Sequence, residues 1–174
     1  MPTSRGFPPI AAPDARVLIL GSLPSRKSIE AREYYAHPRN AFWQIMGELF
    51  AAGRDTPYAS RADTLKANRI AVWDVLAQSV RSGSMDSDIE VRTAKANDFV
   101  SFLHAYRGIR LICFNGQKAA RMFDDLVLSG RPDLPAGLRY ETLPSTSPAY
   151  ASMAFDDKLR KWSIVVAGAQ RRTT

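Results

Sequence analysis

The sequence predicts an α/β protein, a three-layer α/β/α sandwich with a central four-stranded parallel sheet. Continuous apolar runs at 16–20, 70–76 and 109–116 are of the kind covered on both faces of a sheet, and RYETLPS at 139–145 supplies a fourth strand. Segments with helical spacing separate these strands, as the crossovers between parallel neighbours require. Three distinctive loops, GSLPS, FNG and STSPA, follow the first, third and fourth strands. In open α/β sheets the ligand crevice lies beyond the carboxyl ends of the strands, so topology alone gathers these loops around one crevice.

Taken in order, residues 1–15 hold four prolines and read as an N-terminal arm that covers the surface or stays loose, with Phe7 and Ile10 able to pin it. After the first strand, Gly21 permits a turn that a Cβ would obstruct, and Pro24 stiffens its exit. A helix starting near Asn40 carries Phe42, Ile45, Met46, Leu49 and Phe50 on one stripe and is expected to stop at Gly53. Ser60 reads as the cap of a short helix, SRADTLKAN, with Asp63 forming a capping-box variant. The strand IAVWDVL is followed by AQSVRSGSMDSDIEV, a polar stretch expected to be a long surface loop on the substrate side. Asn97 opens a helix with Phe99, Phe102, Leu103 and Tyr106 on one face. The strand IRLICFNG leads through an Asn-Gly turn into a helix closing at Gly130. The last helix starts near Phe155 and carries Leu159, Trp162, Val165 and Val166, with residues 168–174 as a basic tail. No internal repeat is visible, and 174 residues suit one domain spanning 1–174.

Composition narrows the class. Hydrophobic residues at 45% and charged residues at 24% are globular values, and 24 Lys and Arg against 17 Asp and Glu give +7, which favours an anionic partner such as nucleic acid. Arg26, Lys27, Arg32, Arg39, Lys118 and Arg121 lie close to the distinctive loops. Cys113 is alone in the apolar run LICFNG, so no disulfide, multi-thiolate zinc site or iron-sulfur cluster can form within the chain, and it reads as a small buried hydrophobe. The N-terminus lacks an apolar stretch of signal-peptide length and nowhere do about 18 apolar residues run together, so the expectation is a soluble, cytoplasmic protein.

The segment GSLPS followed by YYAHPRNAFW sets an aromatic, two hydrogen-bonding side chains and a cation at the start of a helix. It resembles the first motif of the uracil-DNA glycosylase superfamily, in the mismatch-specific and thymine-DNA glycosylase style. There a G-x-N-P-G turn precedes an aromatic-A-H-P-x-N-x-F-W segment. The position of the usual catalytic Asn in the turn is Leu23 here, which brings the chain nearer the hypoxanthine-DNA glycosylase branch, where the Asn of H-P-x-N takes that part. STSPA resembles the second motif, H-P-S or N-P-S, with Ser145 in place of His or Asn. FNG also occurs after this strand in thymine-DNA glycosylase relatives.

The resemblance implies that fold, a monofunctional glycosylase without metal or cofactor, and double-stranded DNA with a damaged or mismatched base as the partner of a monomer. It implies Asn40 as the catalytic residue, orienting water. Gly21, Ser22, Leu23, Tyr35, His37, Asn115 and Ser145 would hold the base, with Tyr35 stacking on it. Ser25, Arg39, Thr146, Ser147, Pro148 and Ala149 would contact DNA, and Ala149 or Tyr150 would be the wedge in the base stack. Hypoxanthine is the base this branch suggests, with uracil or xanthine behind it.

The residues also have plainer readings. Asn40 suits a helix cap worth about 1 kcal/mol, Asn115 before Gly116 suits a turn former, and Tyr34 suits core packing. His37 before Pro38 suits a turn, as do the Ser and Thr of STSPA. Two other functions stay open: a module that binds mismatched or abasic DNA without cleaving it, and a small-molecule enzyme using GSLPS as a phosphate loop. The latter has only one Gly and lacks the Lys-Ser/Thr pair of nucleotide cradles.

Overall fold

The computed structural model describes residues 3–83 and 85–170. The strands are β1 (Thr3–Arg5), β2 (Val17–Gly21), β3 (Ile70–Asp74), β4 (Leu76–Val80), β5 (Lys95–Ala96), β6 (Leu111–Asn115) and β7 (Arg139–Leu143). The helices are α1 (Arg26–Ala31), α2 (Phe42–Phe50), α3 (Tyr58–Ala67), α4 (Phe99–Ala105), α5 (Gln117–Leu126), α6 (Phe155–Trp162) and α7 (Ile164–Gln170).

The central sheet has the order β3-β2-β6-β7 with every pair parallel, as expected. Alternation along β2 divides the core in two. Leu18 and Leu20 join one cluster with Phe99, Phe102, Met122 and Phe123 of α4 and α5. Val17 and Ile19 join the other with Phe42, Trp43, Leu65, Trp162 and Val165 of α2, α3, α6 and α7. These four β2 side chains have 0% exposure, and burying each contributes about 1.5–3 kcal/mol. The chain runs from β2 to β3 on one side and returns to β6 on the other, so the strand order reverses between β2 and β6. Such a switch point opens a crevice at the carboxyl ends of these strands.

The segments read as irregular differ from expectation. The N-terminal arm is structured: β1 pairs antiparallel with β4, and Ile10 exchanges backbone hydrogen bonds of 2.9 and 2.8 Å with Val72. It thereby covers the outer edge of β3, whose N–H and C=O groups would otherwise lack partners. Phe7 and Ile10 pack on the second cluster, and the Trp73 indole donates to the Phe7 carbonyl at 3.0 Å. The stretch expected to be a long loop contains β4, which with β1 and β5 makes a second, three-stranded sheet. The Thr93 hydroxyl accepts the Val80 amide at 2.9 Å, a side-chain pairing that strand periodicity does not reveal.

Helix ends shift as well. α2 closes at Ala51 in a left-handed conformation (φ 59°) rather than at Gly53. α3 begins two residues before Ser60, after Pro57, so Ser60 lies inside the helix and Asp63 pairs with Lys66 at 2.9 Å. The cap of α4 is Asp98, not Asn97, and Asn97 instead donates to the Asp74 carbonyl at 2.9 Å. α5 ends at Leu126, with a separate turn reaching Gly130. The final helix breaks at Ser163 and α7 then runs to Gln170, so the first part of the expected tail is helical and residues 171–174 lie outside the described residues.

Cys113 is fully buried on β6, as expected, and burial, with the Glu141 carboxylate adding to it, pushes its thiol up to about 12. A raised value leaves little thiolate at pH 8, where an open cysteine near 8.5 reacts readily. The native protein will therefore resist a thiol-specific reagent at pH 8 and react fully in denaturant. Rapid labelling of the folded chain would contradict this burial.

Candidate active site

Three loops build the site, each held by its backbone. The first leaves β2 at Gly21, which pairs with Asp74 of β3. Val75 and Leu76 donate to the carbonyls of Gly21 and Ser22 at 2.8 and 3.0 Å. Arg81, 3% exposed, donates to the carbonyl of Pro24 at 2.7 Å and of Leu23 at 3.4 Å. The turn is thus held by a buried cation, and the Ser25 hydroxyl caps α1 by accepting the Ser28 amide at 3.2 Å.

The second loop carries the aromatic pair. Tyr34 is core: it is 3% exposed, its hydroxyl donates to the Pro8 carbonyl at 2.9 Å, and its own carbonyl accepts the Trp43 indole at 2.7 Å. Burial, then the charge of Asp74, raises its phenol above the ordinary value. Tyr35 has φ 54°, a left-handed conformation costing a non-glycine residue about 1–3 kcal/mol. Its ring stacks on Phe42 with centroids 4.1 Å apart. Arg54 offsets the strain: one guanidinium nitrogen donates to the carbonyls of Tyr35 at 3.0 Å, His37 at 2.8 Å and Asn40 at 3.4 Å.

The His37 ring nitrogen Nδ1 accepts the Arg39 amide at 3.1 Å, closing the turn at Pro38. Asn40 is not the N-cap of α2, which is Ala41; it stands one residue earlier, and its Oδ1 accepts the amide of Phe42, the first residue of the helix, at 2.9 Å. An amide oxygen has two lone pairs, so one bond leaves it able to accept a second.

The third wall joins β6 to the loop after β7. Asn115, 8% exposed, donates through Nδ2 to the Thr146 hydroxyl at 2.8 Å and accepts the Thr146 amide at 2.9 Å. The Thr146 carbonyl in turn accepts the Ala41 amide at 3.0 Å, linking this loop to the start of α2. Within it, the hydroxyls of Ser145 and Ser147 accept the amides of Ser147 at 3.2 Å and Ala149 at 3.3 Å. These are turn geometries.

The loops enclose a cavity of about 830 Å³. Every residue that the sequence suggested for catalysis, base binding or DNA contact lines it: Gly21, Ser22, Leu23, Ser25, Tyr35, His37, Arg39, Asn40, Asn115, Ser145, Thr146, Ser147, Pro148 and Ala149. Lys27 and Tyr150 line it too, and Lys27 and Arg39 are exposed. Tyr150 is 39% exposed, with its carbonyl accepting from Lys158 at 3.0 Å. Other basic residues near the motifs point elsewhere: Arg26 donates to the Ser82 carbonyl at 2.9 Å and Arg121 to Gln117 at 3.1 Å. A hollow of about 580 Å³ shares Arg39 and Asn40 with this cavity and includes Arg54. Among the described residues, no group of three or more His, Cys, Asp or Glu could hold a metal ion.

Sequence reasoning missed Asp74, Arg54 and Arg81. Asp74 lines the cavity at 3% exposure but sits inside the apolar run IAVWDVL. The one signal for it was a carboxylate in a strand otherwise buried. Arg54 and Arg81 lie in polar segments that read as surface.

An α/β sheet with loop-built pocket at a topological switch point and an aromatic-Ala-His-Pro turn is the architecture of the base-excising glycosylases. The chain belongs to the uracil DNA glycosylase superfamily, whose family model it matches over residues 8–167. A hypoxanthine DNA glycosylase of Methanosarcina acetivorans is 40% identical over 148 residues, covering 83% of this chain and 87% of that protein. A second, from Methanosarcina barkeri, is 34% identical over 116 residues, covering 66% and 72%. The solution structure of a uracil DNA glycosylase candidate from Methanosarcina acetivorans superposes with a TM-score of 0.78 at 35% identity, covering 97% of this chain and 99% of that one.

Two outcomes follow from the geometry. Asn115→Ala and Thr146→Val will each destabilise by about 1–3 kcal/mol, because each leaves a buried partner unsatisfied. In denaturant unfolding the double variant will cost less than the sum, and strict additivity would show that the pair is not coupled. Arg54→Ala, which removes the donor shared by the three carbonyls, will lower turnover by about tenfold or more by displacing the Tyr35–Asn40 turn. Its melting temperature will fall by only a few degrees, on the order expected for ~1 kcal/mol; wild-type turnover in this variant would refute the positioning role.

Proposed function

We propose that this protein is a monofunctional DNA glycosylase that hydrolyses the N-glycosidic bond of hypoxanthine in double-stranded DNA and leaves an abasic site. Xanthine and uracil rank behind hypoxanthine. It works as a single-domain cytoplasmic monomer without metal or cofactor. The observation that carries the reading is the convergence of Tyr35, backed by Phe42, with Asn40 in one cavity at the switch point of a glycosylase fold. Membership of the superfamily and two relatives named hypoxanthine DNA glycosylases support it.

The target base must leave the helix, which costs a few kcal/mol and least for a mismatched or damaged pair. Once extruded, it stacks on the Tyr35 ring, which Phe42 holds rigid from its other face. The loops of Ser22–Ser25 and Ser145–Ala149 offer backbone amides and hydroxyls to the base and the adjacent phosphates. Exposed Lys27 and Arg39 draw in the DNA backbone, consistent with the net charge of +7. As the C1′–N9 bond breaks, the sugar gains oxocarbenium character and water attacks C1′. Such an electrophile requires an oriented water more than a strong base, and the free lone pair of Asn40 Oδ1 supplies the orientation. Leu23, 6% exposed, offers neither carbonyl nor amide from its side chain, which disfavours uracil recognition by the usual turn Asn.

The competing reading is a protein that binds abasic or mismatched DNA without cleaving it. It draws on the bond between Asn40 Oδ1 and the Phe42 amide, which gives Asn40 a structural task at the start of α2.

Duplex oligonucleotides containing deoxyinosine, deoxyxanthosine or deoxyuridine separate the two. Base release is expected from deoxyinosine first, falling at least a hundredfold in Asn40→Ala while salt-dependent duplex binding persists. Binding with no release from any lesion would establish the non-catalytic protein instead. Tyr35→Ala is expected to weaken productive binding by about 1–3 kcal/mol, the contribution of one base–aromatic stack.

A further inference from the structure

Asp74 is a buried carboxylate in the wall of the cavity, and neither motif explains it. Backbone pairing fixes its place. It pairs in register with Gly21 across β2 and β3, and its carbonyl accepts from Nδ2 of the Asn97 side chain at 2.9 Å. The next residue, Val75, donates to the Gly21 carbonyl at 2.8 Å. A Cβ built on Gly21 would stand 2.6 Å from Asp74 Oδ1 and 2.9 Å from the Tyr35 hydroxyl. The carboxylate and the phenol of the stacking ring therefore crowd the same point, beside the turn that opens the cavity. Burying a charged acceptor is costly, and a functional site is where such a cost is tolerated.

Deamination supplies the chemistry that this acceptor fits. Adenine and cytosine carry a bare ring nitrogen at their pairing edge, an acceptor that a carboxylate repels. Hypoxanthine, xanthine and uracil carry an N–H there. A purine and a pyrimidine also depart differently. When the C1′–N9 bond of deoxyinosine breaks, N9 keeps the electron pair and a proton from solvent adds to a ring nitrogen. The base leaves neutral, and the water that bonds to C1′ releases a proton. Before N9 detaches, the protonated purine is cationic and a nearby carboxylate stabilises it. Uracil departs as an anion, which the same carboxylate opposes.

We propose that Asp74 is the specificity-determining residue of this pocket. It accepts the ring N–H of a deaminated purine, rejects adenine, and disfavours uracil by its charge. This deepens the hypoxanthine reading above and rests on it.

The test is base release from duplexes containing deoxyinosine, deoxyuridine or deoxyadenosine by the full chain and by Asp74→Asn, which keeps the shape and removes the charge. Hypoxanthine release is expected to fall at least tenfold in the variant, and the ratios of uracil to hypoxanthine and of adenine to hypoxanthine to rise at least tenfold. A purely structural role would lower all three together and leave the ratios unmoved, which would overturn the proposal. A second measurement needs no variant. The wild-type protein is expected to release hypoxanthine at least tenfold faster than 1-methylhypoxanthine, whose ring nitrogen bears no hydrogen, and equal rates would also overturn the proposal. If the wild-type protein releases no hypoxanthine at all, the functional reading itself falls and takes this inference with it. Release with unchanged ratios in Asp74→Asn leaves that reading standing and removes only Asp74.

Discussion

The site depends on an atom that is not there. Gly21 ends the central strand of the sheet, and the space a side chain would fill is taken by the Asp74 carboxylate and the Tyr35 hydroxyl, at 2.6 and 2.9 Å from the position of a Cβ. Any other residue would push apart β3 and the aromatic turn, which are the two walls nearest the strand end. The glycine therefore serves close approach, and its backbone lies in an ordinary strand. The three-layer core gives this approach its rigidity, since β2 is buried along its whole length between the two clusters.

Around that point the loops are held through their carbonyls. Arg81 grips the turn after β2, and Arg54 grips the turn from Tyr35 to Asn40. A guanidinium suits this task because its donors are planar, fixed in direction and always charged. The Asn115–Thr146 pair and the Ala41–Thr146 bond then join the remaining loop to both neighbours. Much of what fixes the pocket is thus backbone held by side chains that read as surface residues. The residues expected to act on substrate are in part holding the wall: Asn115 is bonded twice to Thr146, and Asn40 accepts the first amide of α2 while lining the cavity.

The central sheet was legible because its strands are apolar runs separated by helical stripes, and burial on both faces writes itself into composition. The cavity lining was legible because the aromatic-Ala-His-Pro turn and the Ser-Pro loop are unusual local chemistry at strand ends. The second sheet was not legible. β1 and β5 are two or three residues long, and their pairing with β4 is satisfied partly by Thr93 and by distant backbone. Arg54 and Arg81 were missed because reaching a carbonyl across the fold leaves no periodic mark. Asp74 was hidden by its own strand, where one acid among Ile70, Ala71, Val72 and Trp73 looks like a strand end. Helix boundaries moved by a few residues where a proline or a left-handed alanine, rather than the expected serine or glycine, ended the hydrogen-bond ladder.

The pocket is stitched from stretches far apart in the chain: residues 21–40, Asp74, Met85 and Ser87, Asn115 and 145–150. No contiguous fragment carries all of it, and parallel strands pair only after long excursions of the polypeptide have closed. The cavity is consequently complete only when the whole sheet has closed. Loss of activity on heating or in denaturant is then a report on the whole molecule, a property that makes catalysis itself a gauge of intact folding.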